Sequence, residues 1–291
     1  MSKNIVEFKN VSKWYGTGEN RTDVLSNINL TIKEGEFLAI VGFTGSGKTT
    51  LVNMLSGLLE PSEGEVLFKG EPIKGTSLDR GIIFQNYSLL PWFTVYENVA
   101  LAVNAVFPKW TKKQKDDHIR KYVDMVNLTP ALNKKPKELS GGMRQRVAVA
   151  RVLSTDPELL LMDEPLGALD ALTRGNLQEE ILKIWSANKR TALLITNDVD
   201  EGILMADRII PLNPGPNATL GPEFIIDVER PRDKTALNTD PKFKAVRTEI
   251  LNYLVELGEA NNLKKSDSFI LPDIQPRVKK KGGFSMIRRA S

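Results

Sequence analysis

The sequence predicts an α/β fold, in which a parallel sheet with connecting helices is interrupted by one helical insertion. Three observations lead to this prediction. Short apolar runs alternate with helical segments, which is the pattern of parallel strands joined by crossover helices. From residue 95 to about residue 153 the segments have helical character, within an insertion at roughly 87–156. One apolar strand also runs directly into a glycine-rich loop and then a helix, the unit in which phosphate-binding loops occur.

The elements before the insertion follow from alternation and from turn residues. The run at residues 37–41 is apolar throughout, and residues 48–58 have helical spacing and composition. Strands are predicted at residues 5–8, 28–32, 36–41, 64–68 and 81–84, with turns at 16–18 and 34–35.

The elements of the insertion and of the region after it are predicted in the same way. The helices lie at residues 112–126, 141–152, 172–187 and 242–257, and the strands at 159–162, 191–195 and 208–211. The prediction is therefore one folded domain over residues 1–232, with its helical subdomain at about 87–156. A C-terminal helix and a basic tail follow over residues 233–291.

The composition is that of a globular protein, with 41% hydrophobic and 26% charged residues. The net charge of +4 is concentrated at the end, because residues 277–291 contain six basic and no acidic side chains. Such a tail is typical of a solvated chain end, and contact with anionic lipid is the alternative. Cysteine is absent, which fits a reducing cytoplasm. No stretch reaches the roughly 18 apolar residues of a membrane-spanning helix.

The glycine-rich loop matches the phosphate-binding pattern G-x-x-x-x-G-K-[ST] at residues 42–49. Its glycines let backbone N–H groups turn toward phosphate oxygens, and the helix that follows adds its positive end. Lys48 would place a charge on the β- and γ-phosphates, and the Thr49 hydroxyl would bind Mg²⁺. The predicted nucleotide-binding residues of this segment are Gly42, Thr44, Gly45, Ser46, Gly47, Lys48, Thr49 and Thr50.

Two acids follow the apolar run at residues 159–162. Asp163 is predicted to bind Mg²⁺, and Glu164 to act as the general base that activates a water molecule. Alone, an apolar strand that ends in two acids is a common strand exit. Combined with the phosphate-binding loop, it indicates nucleotide hydrolysis.

The segment Leu-Ser-Gly-Gly-Met-Arg-Gln at residues 139–145 resembles the signature of ABC ATPases, and it lies on the helical insertion. The resemblance implies a P-loop NTPase core of the RecA-like type with an α-helical subdomain that carries the signature. It also implies ATP and Mg²⁺ as ligands, and a dimer in which the signature contacts the γ-phosphate of ATP held by the other subunit. The signature residues assigned to nucleotide binding are Ser140, Gly141, Gly142 and Gln145.

The same resemblance assigns roles to three further side chains. Tyr15 corresponds to the aromatic residue that stacks on adenine, although a lone aromatic is more often part of a core. Gln85 corresponds to the glutamine that contacts Mg²⁺ and the attacking water. Asp170 corresponds to the acidic residue that communicates across the dimer. The order and spacing of these motifs over residues 5–232 support the resemblance.

The family pattern is broken at Asn197, where ABC ATPases have a histidine that contacts the γ-phosphate. Asparagine can donate an N–H group but cannot carry a positive charge. Losing one preorganised contact to a developing charge costs about 3–4 kcal/mol. We therefore hypothesise a slow or regulatory ATPase subunit that pairs with one retaining the histidine; a tolerated substitution is the alternative. The only histidine, His118, is predicted to face solvent.

Residues 84–98, 170–178 and 213–232 resemble the importers of nitrate, nitrite, cyanate and bicarbonate, with sulfonate and taurine importers close behind. Nitrate is our first choice, although an ATPase subunit does not contact the transported anion. The resemblance implies a peripheral protein on the cytoplasmic side of the inner (plasma) membrane. Its implied partners are transmembrane permease subunits, a second ATPase subunit in a homo- or heterodimer and, indirectly, a substrate-binding protein.

Four large apolar residues follow Gln85 closely and suit a permease-docking surface. The alternative is that they pack the insertion onto the core. These residues are Leu89, Leu90, Trp92 and Phe93. Nucleic acid is not expected as a partner, because ABC proteins that act on DNA or ribosomes have long coiled coils or two cassettes. This sequence has one cassette and no heptad run.

Overall fold

The computed structural model describes residues 3–167, 169–188, 190–232 and 239–267, which form two sheets and seven helices. The strands are β1 (Asn4–Tyr15), β2 (Thr22–Lys33), β3 (Phe37–Gly42), β4 (Glu63–Phe68), β5 (Glu71–Pro72), β6 (Arg80–Ile83), β7 (Leu159–Asp163), β8 (Thr191–Thr196), β9 (Arg208–Leu212) and β10 (Phe224–Ile225). The helices are α1 (Lys48–Ser56), α2 (Val95–Val106), α3 (Lys112–Met125), α4 (Gly141–Leu153), α5 (Ala171–Asn188), α6 (Val199–Met205) and α7 (Pro241–Asp267).

The larger sheet has six strands in the order β10-β9-β3-β8-β7-β6. All neighbouring pairs are parallel except that of β10 with β9. Strands β3, β7, β8 and β9 are buried at every residue, as expected for parallel strands that are covered on both faces. The predicted parallel α/β core is thus confirmed, with a two-residue antiparallel edge strand that the sequence pattern was too short to indicate.

The smaller sheet is antiparallel, in the order β2-β1-β4-β5. Strand β2 alternates between buried and exposed residues: Ile28, Leu30 and Ile32 are buried and the residues between them are exposed. Alternation of this kind is typical of an antiparallel sheet with one solvated face. The strand predicted at residues 5–8 lies near the start of β1, and that at 28–32 lies near the end of β2; both are 12-residue strands of this separate sheet.

The insertion consists of α2, α3 and α4, which pack on one another. Helices α2 and α3 both begin with capping boxes, formed by Thr94 with Glu97 and by Thr111 with Gln114. In each box the threonine side chain accepts from the backbone N–H of the residue three positions later, and the side chain of that residue accepts from the threonine N–H. These two bonds fix where the helix starts.

The prediction that His118 faces solvent is wrong. The ring is half-buried on α3, with ring centroids of Phe107, Trp110 and Tyr122 at 5.5, 5.0 and 4.8 Å. Its Nε2 atom lies 2.9 Å from the carbonyl oxygen of Ser154. Most residues near His118 in the sequence are charged, which suggested an exposed side chain. The aromatic contacts depend on how α3 packs and cannot be read from these neighbours.

Helix α7 is longer than predicted, because it continues ten residues past residue 257 to Asp267. The short helix α6 was not predicted at all. Among the described residues, no helix is both long and apolar enough to cross a membrane. The predicted basic tail at residues 277–291 lies outside the described residues.

Candidate functional site

The carboxyl ends of β3, β7 and β8 bring three predicted segments together. Strand β3 leads into the phosphate-binding loop, β7 ends in Asp163 and is followed by Glu164, and β8 is followed by Asn197. These strands are parallel neighbours, so the three segments emerge at one edge of the sheet. That edge is where open α/β sheets bind their ligands.

The phosphate-binding loop makes two turns that favour glycine. Gly45 and Gly47 have φ angles of 80° and 98°, which side chains rarely adopt. A Cβ atom at Gly47 would also lie 2.9 Å from the side chains of Val24 and Leu25, and one at Gly42 would lie 2.6 Å from a backbone oxygen. The loop is therefore held close to β2 on one side.

The hydroxyl of Ser46 marks the interior of this loop. The side chain is buried, and its Oγ atom has no hydrogen-bond partner within the described part of the chain. Thr44 and Thr49 beside it are exposed, and Thr50 is half-buried. An unsatisfied buried hydroxyl at the N-terminus of α1 fits a bound phosphate, whose oxygens would accept its hydrogen bond.

Lys48 is the only lysine buried among the described residues. Its Nζ atom donates to the carbonyl oxygens of Gly42 at 3.0 Å and Phe43 at 2.8 Å, and it lies 3.8 Å from Oε1 of Glu164. Burial lowers the pKa of Lys48, and the nearby carboxylates of Glu164 and Asp163 oppose this effect. The ammonium group is thus held inside the loop, where an anionic ligand would stabilise its charge.

Thr49 and Asp163 form an oxygen pair beside the loop. The Thr49 hydroxyl donates to Oδ1 of Asp163 at 3.3 Å. Burial raises the pKa of Asp163, the hydrogen bond from Thr49 opposes the shift, and the charge of Glu164 adds to it. The described residues contain no cluster of three or more His, Cys, Asp or Glu side chains that could hold a metal alone. One carboxylate and one hydroxyl fit Mg²⁺, which also takes phosphate oxygens and water.

Glu164 is held between two amide side chains. Its Oε2 atom accepts from Nε2 of Gln85 at 3.2 Å, and its Oε1 atom accepts from Nδ2 of Asn197 at 2.7 Å. Its backbone has a φ angle of 46° and donates to the carbonyl oxygen of Ile195 at 2.9 Å. A non-glycine residue in this conformation is uncommon. The carboxylate is therefore fixed at the mouth of the site, facing the phosphate-binding loop.

The signature segment lies at the start of α4, away from these residues in sequence and in its contacts. The Ser140 hydroxyl accepts from the backbone N–H of Met143 and caps the helix. A Cβ atom at Gly141 would approach Tyr87, and one at Gly142 would approach Thr173.

Gln145 does not fit the nucleotide contact that was predicted for it. Its side chain is fully buried in α4, and neither amide atom has a hydrogen-bond partner within the described part of the chain. A side chain without exposed surface cannot reach a nucleotide at the surface of the signature segment.

Two other predicted residues lie at the edges of the molecule. Tyr15 ends β1 and is 46% exposed, with Nζ of Lys13 at 5.4 Å from its ring centroid. Its ring is available for stacking rather than part of the core.

Asp170 precedes α5 and its Oδ1 atom accepts from the backbone N–H of Thr173 at 3.0 Å. The local contact is that of a helix cap.

Of the four residues predicted as a docking surface, only Trp92 is clearly exposed, at 62%. Leu89, Leu90 and Phe93 are half-buried, and Leu89 packs against the main core. The packing role is thus confirmed for Leu89, whereas docking stays a prediction that the exposure of Trp92 permits. Trp92 projects outward, whereas its neighbours attach the segment to the core.

Sequence reasoning missed the part of the site that α7 supplies. Arg247, Leu251 and Leu254 line the same cleft, of about 560 Å³, as Glu164 and Asn197. The amphipathic spacing of α7 indicated a buried face. No motif indicated which surface that face covers.

Residues 25–167 match the family model described as ABC transporter. The chain is 48% identical over 246 residues to the bicarbonate transport ATP-binding protein CmpD of Synechococcus elongatus, which covers 84% of this chain and 88% of that protein. It is 43% identical over 249 residues to the nitrate import ATP-binding protein NrtD of the same organism, with coverages of 86% and 91%. The dimeric ATP-binding cassette MJ0796, in a post-hydrolysis state bound to ADP and Pi, superposes with a TM-score of 0.70 at 33% identity, over 77% of this chain and 100% of that one. This chain therefore belongs to the ABC transporter family, as one of its ATP-binding cassettes.

Proposed function

We propose that this chain is the ATP-hydrolysing subunit of an importer for a small anion. One observation supports hydrolysis above all others: the carboxylate of Glu164 is held by Gln85 and Asn197, facing the phosphate-binding loop and Lys48. A fixed carboxylate beside a phosphate site can take a proton from an attacking water. Residues 1–232 form the catalytic domain in this proposal.

Each side chain has a role in that reaction. Lys48 and the Ser46 hydroxyl bind phosphate oxygens of ATP, and the exposed ring of Tyr15 stacks on adenine. Thr49 and Asp163, with Gln85, would hold Mg²⁺, which neutralises charge on the phosphate oxygens when bound.

The chemical step is hydrolysis of the terminal phosphoanhydride. The water oxygen forms a bond to the γ-phosphorus while the bond to the β–γ bridging oxygen breaks, which leaves ADP and phosphate. Glu164 accepts the proton that the water loses. Asn197 orients Glu164 but offers only an uncharged donor, so we propose that hydrolysis is slower than in a cassette with histidine at this position.

A second cassette completes the site. Ser140 and Gly142 present the start of α4 to ATP that the partner holds, and Asp170 lies on the same interface in this proposal. The partner is a second copy of this chain or a related ATPase subunit that retains the histidine. In the latter case this chain serves mainly to bind ATP, a role that the neutral Asn197 side chain favours.

The importer's substrate is proposed from the relatives, since a cassette does not contact the transported solute. The bicarbonate relative and the nitrate relative both serve small oxyanions with a single negative charge. We therefore propose bicarbonate or nitrate as the solute, with permease subunits in the membrane and a substrate-binding protein as partners. The chain lies on the cytoplasmic side of the membrane and docks through Trp92.

The test is reconstitution of the chain with its permease, any neighbouring ATPase subunit and the substrate-binding protein in lipid vesicles. Glu164→Gln should lower ATP turnover by about 10²- to 10⁴-fold, while binding of a fluorescent ATP analogue is retained. Glu158→Gln, which alters an exposed acid just before β7, at the end of the strand away from the site, is the matched control. Uptake of labelled bicarbonate and nitrate then identifies the solute. Full turnover in the Glu164→Gln complex would refute the proposed hydrolysis at this site.

A further inference from the structure

Helix α7 forms one wall of the cleft that holds the catalytic carboxylate. Leu251 and Leu254, one helical turn apart, line the cleft together with Glu164 and Asn197. Arg247, one turn earlier, pairs with Asp200 in the first turn of α6, directly after the Asn197 segment. The wall is apolar in the middle and charged at its edge.

The same helix continues to the phosphate-binding loop. The Tyr253 hydroxyl donates to Oδ1 of Asn213 at 2.9 Å, in the segment after β9. Farther along, a methyl group added at Gly258 would lie 3.4 Å from Cζ of Phe43, which belongs to the loop. One helix therefore contacts the segments that follow β3, β8 and β9, across the side of the site that the sheet leaves open.

Two parts of α7, residues 241–250 and residues 251–258, are attached differently. Phe243 and Ile250 in the first part are buried in the main core. Past Ile250, the contacting residues are only half-buried. The pair between Arg247 and Asp200 is exposed, at 45% and 49%, and exposed ion pairs contribute little. Residues 251–258 are thus held by half-buried contacts at the edge of the core, among them those of Leu251, Tyr253 and Leu254, whereas residues 241–250 are anchored by fully buried side chains.

We propose that residues 251–258 of α7 form an autoinhibitory strap on the nucleotide site. The inference rests on the proposed function, because a second cassette must approach ATP from the open side that the strap crosses. In this proposal, apolar Leu251 and Leu254, which line the cleft with Glu164 and Asn197, block the approach of the partner's polar signature segment. Displacement of the strap is then a condition for two cassettes to close on ATP.

The chain offers substitutions that act in opposite directions. Leu251→Ala combined with Leu254→Ala weakens the strap at its half-buried contacts. Gly258→Ala strengthens it, because alanine favours a helix over glycine and its methyl group makes an ordinary contact with Phe43. Asn252→Ala alters an exposed α7 residue and serves as the matched control.

The experiment measures ATP turnover of the reconstituted full-length complex without transport substrate, together with the affinity of each variant for a fluorescent ATP analogue. The double leucine variant should turn over ATP about tenfold faster than wild type, which corresponds to about 1.4 kcal/mol. Gly258→Ala should be slower than wild type, and Asn252→Ala unchanged.

Unchanged or lower turnover in the double leucine variant overturns the strap. So does faster turnover in Gly258→Ala. Glu164→Gln, run in parallel, separates the two proposals. If it abolishes turnover while the α7 variants behave like wild type, the site hydrolyses ATP and the strap alone is wrong. If it leaves turnover unchanged, the proposed hydrolysis at this site is wrong.

Discussion

The Nδ2 atom of Asn197 donates a hydrogen bond to Oε1 of Glu164 at 2.7 Å. This contact shows what an asparagine at this position still does: it fixes the orientation of the carboxylate that faces the phosphate-binding loop. It also shows what is missing. A neutral amide adds no positive charge to the proposed phosphate site, and one of its two N–H donors is already committed to Glu164.

The first prediction follows from this difference. Asn197→His should raise ATP turnover of the reconstituted complex at least tenfold, because one preorganised contact to a developing charge is worth about 10²–10³ in rate. Steady-state phosphate release measures it. Asn197→Ala, which loses the hydrogen bond to Glu164 and gains nothing, is the control and should be slower than wild type. Equal turnover in the histidine variant and wild type would show that asparagine is a tolerated substitute.

A second prediction concerns the unpartnered hydroxyl of Ser46. Ser46→Ala should weaken ATP binding about tenfold or more, because a hydrogen bond to a charged group is worth about 1.5–3 kcal/mol. The free energy of unfolding without nucleotide should not fall, since the Oγ atom has no protein partner to lose. Isothermal titration calorimetry and urea unfolding measure the two quantities.

Ser56, the last residue of the helix that follows the loop, is the matched control for Ser46. It is equally buried, but its Oγ atom donates to the carbonyl oxygen of Asn53 at 3.0 Å. Ser56→Ala should therefore cost about 1 kcal/mol of stability and leave ATP affinity unchanged. If the two alanine variants lose ATP affinity equally, the role assigned to Ser46 is wrong.

A third prediction tests the docking surface. Trp92→Ala should weaken association with the permease while sparing ATP affinity and stability, because the ring is 62% exposed. Leu89→Ala should instead lower the melting temperature, because that side chain packs against the core. Co-purification with the permease and thermal unfolding distinguish the two. A destabilised Trp92→Ala variant with normal permease binding would assign Trp92 to packing.

The sequence predicted those parts of the site that short motifs define. The phosphate-binding loop, Asp163 and Glu164 follow strands whose apolar runs are unmistakable, and parallel pairing then brings their ends together. The burial of Gln145 was not predictable in the same way. A glutamine within a motif looks polar and available, and only the packing of α4 shows that it has no exposed surface.

The surface that α7 covers could not be predicted from the sequence, for a different reason. Spacing identifies the apolar stripe of a helix, but the surface that it covers depends on contacts between residues far apart in the chain. Gly258 and Phe43 are separated by most of the protein, and no local pattern connects them. His118 illustrates the same limit, since its aromatic neighbours lie on two different segments.

The last prediction concerns Glu201, a buried acid on α6 near the site. Its carboxylate accepts hydrogen bonds from Thr196 and Gln178, yet burial raises its pKa, and the charge of Asp198 adds to the rise while Arg174 opposes it. The folded-state pKa therefore lies above the unfolded one. The unfolded chain loses its proton first, so the glutamate lowers stability as the pH rises from the unfolded pKa to the folded pKa, and the loss stays constant above that.

Glu201→Gln removes the titrating carboxyl group but keeps a side chain that can hydrogen-bond to Thr196 and Gln178. The stability of the variant relative to wild type should increase with pH across that window and then level off, as measured by urea unfolding from pH 4 to pH 8. Glu256→Gln, which alters an exposed acid on α7, should follow the wild-type profile. Parallel pH profiles for Glu201→Gln and wild type would mean that burial of this carboxylate carries no penalty in the folded protein.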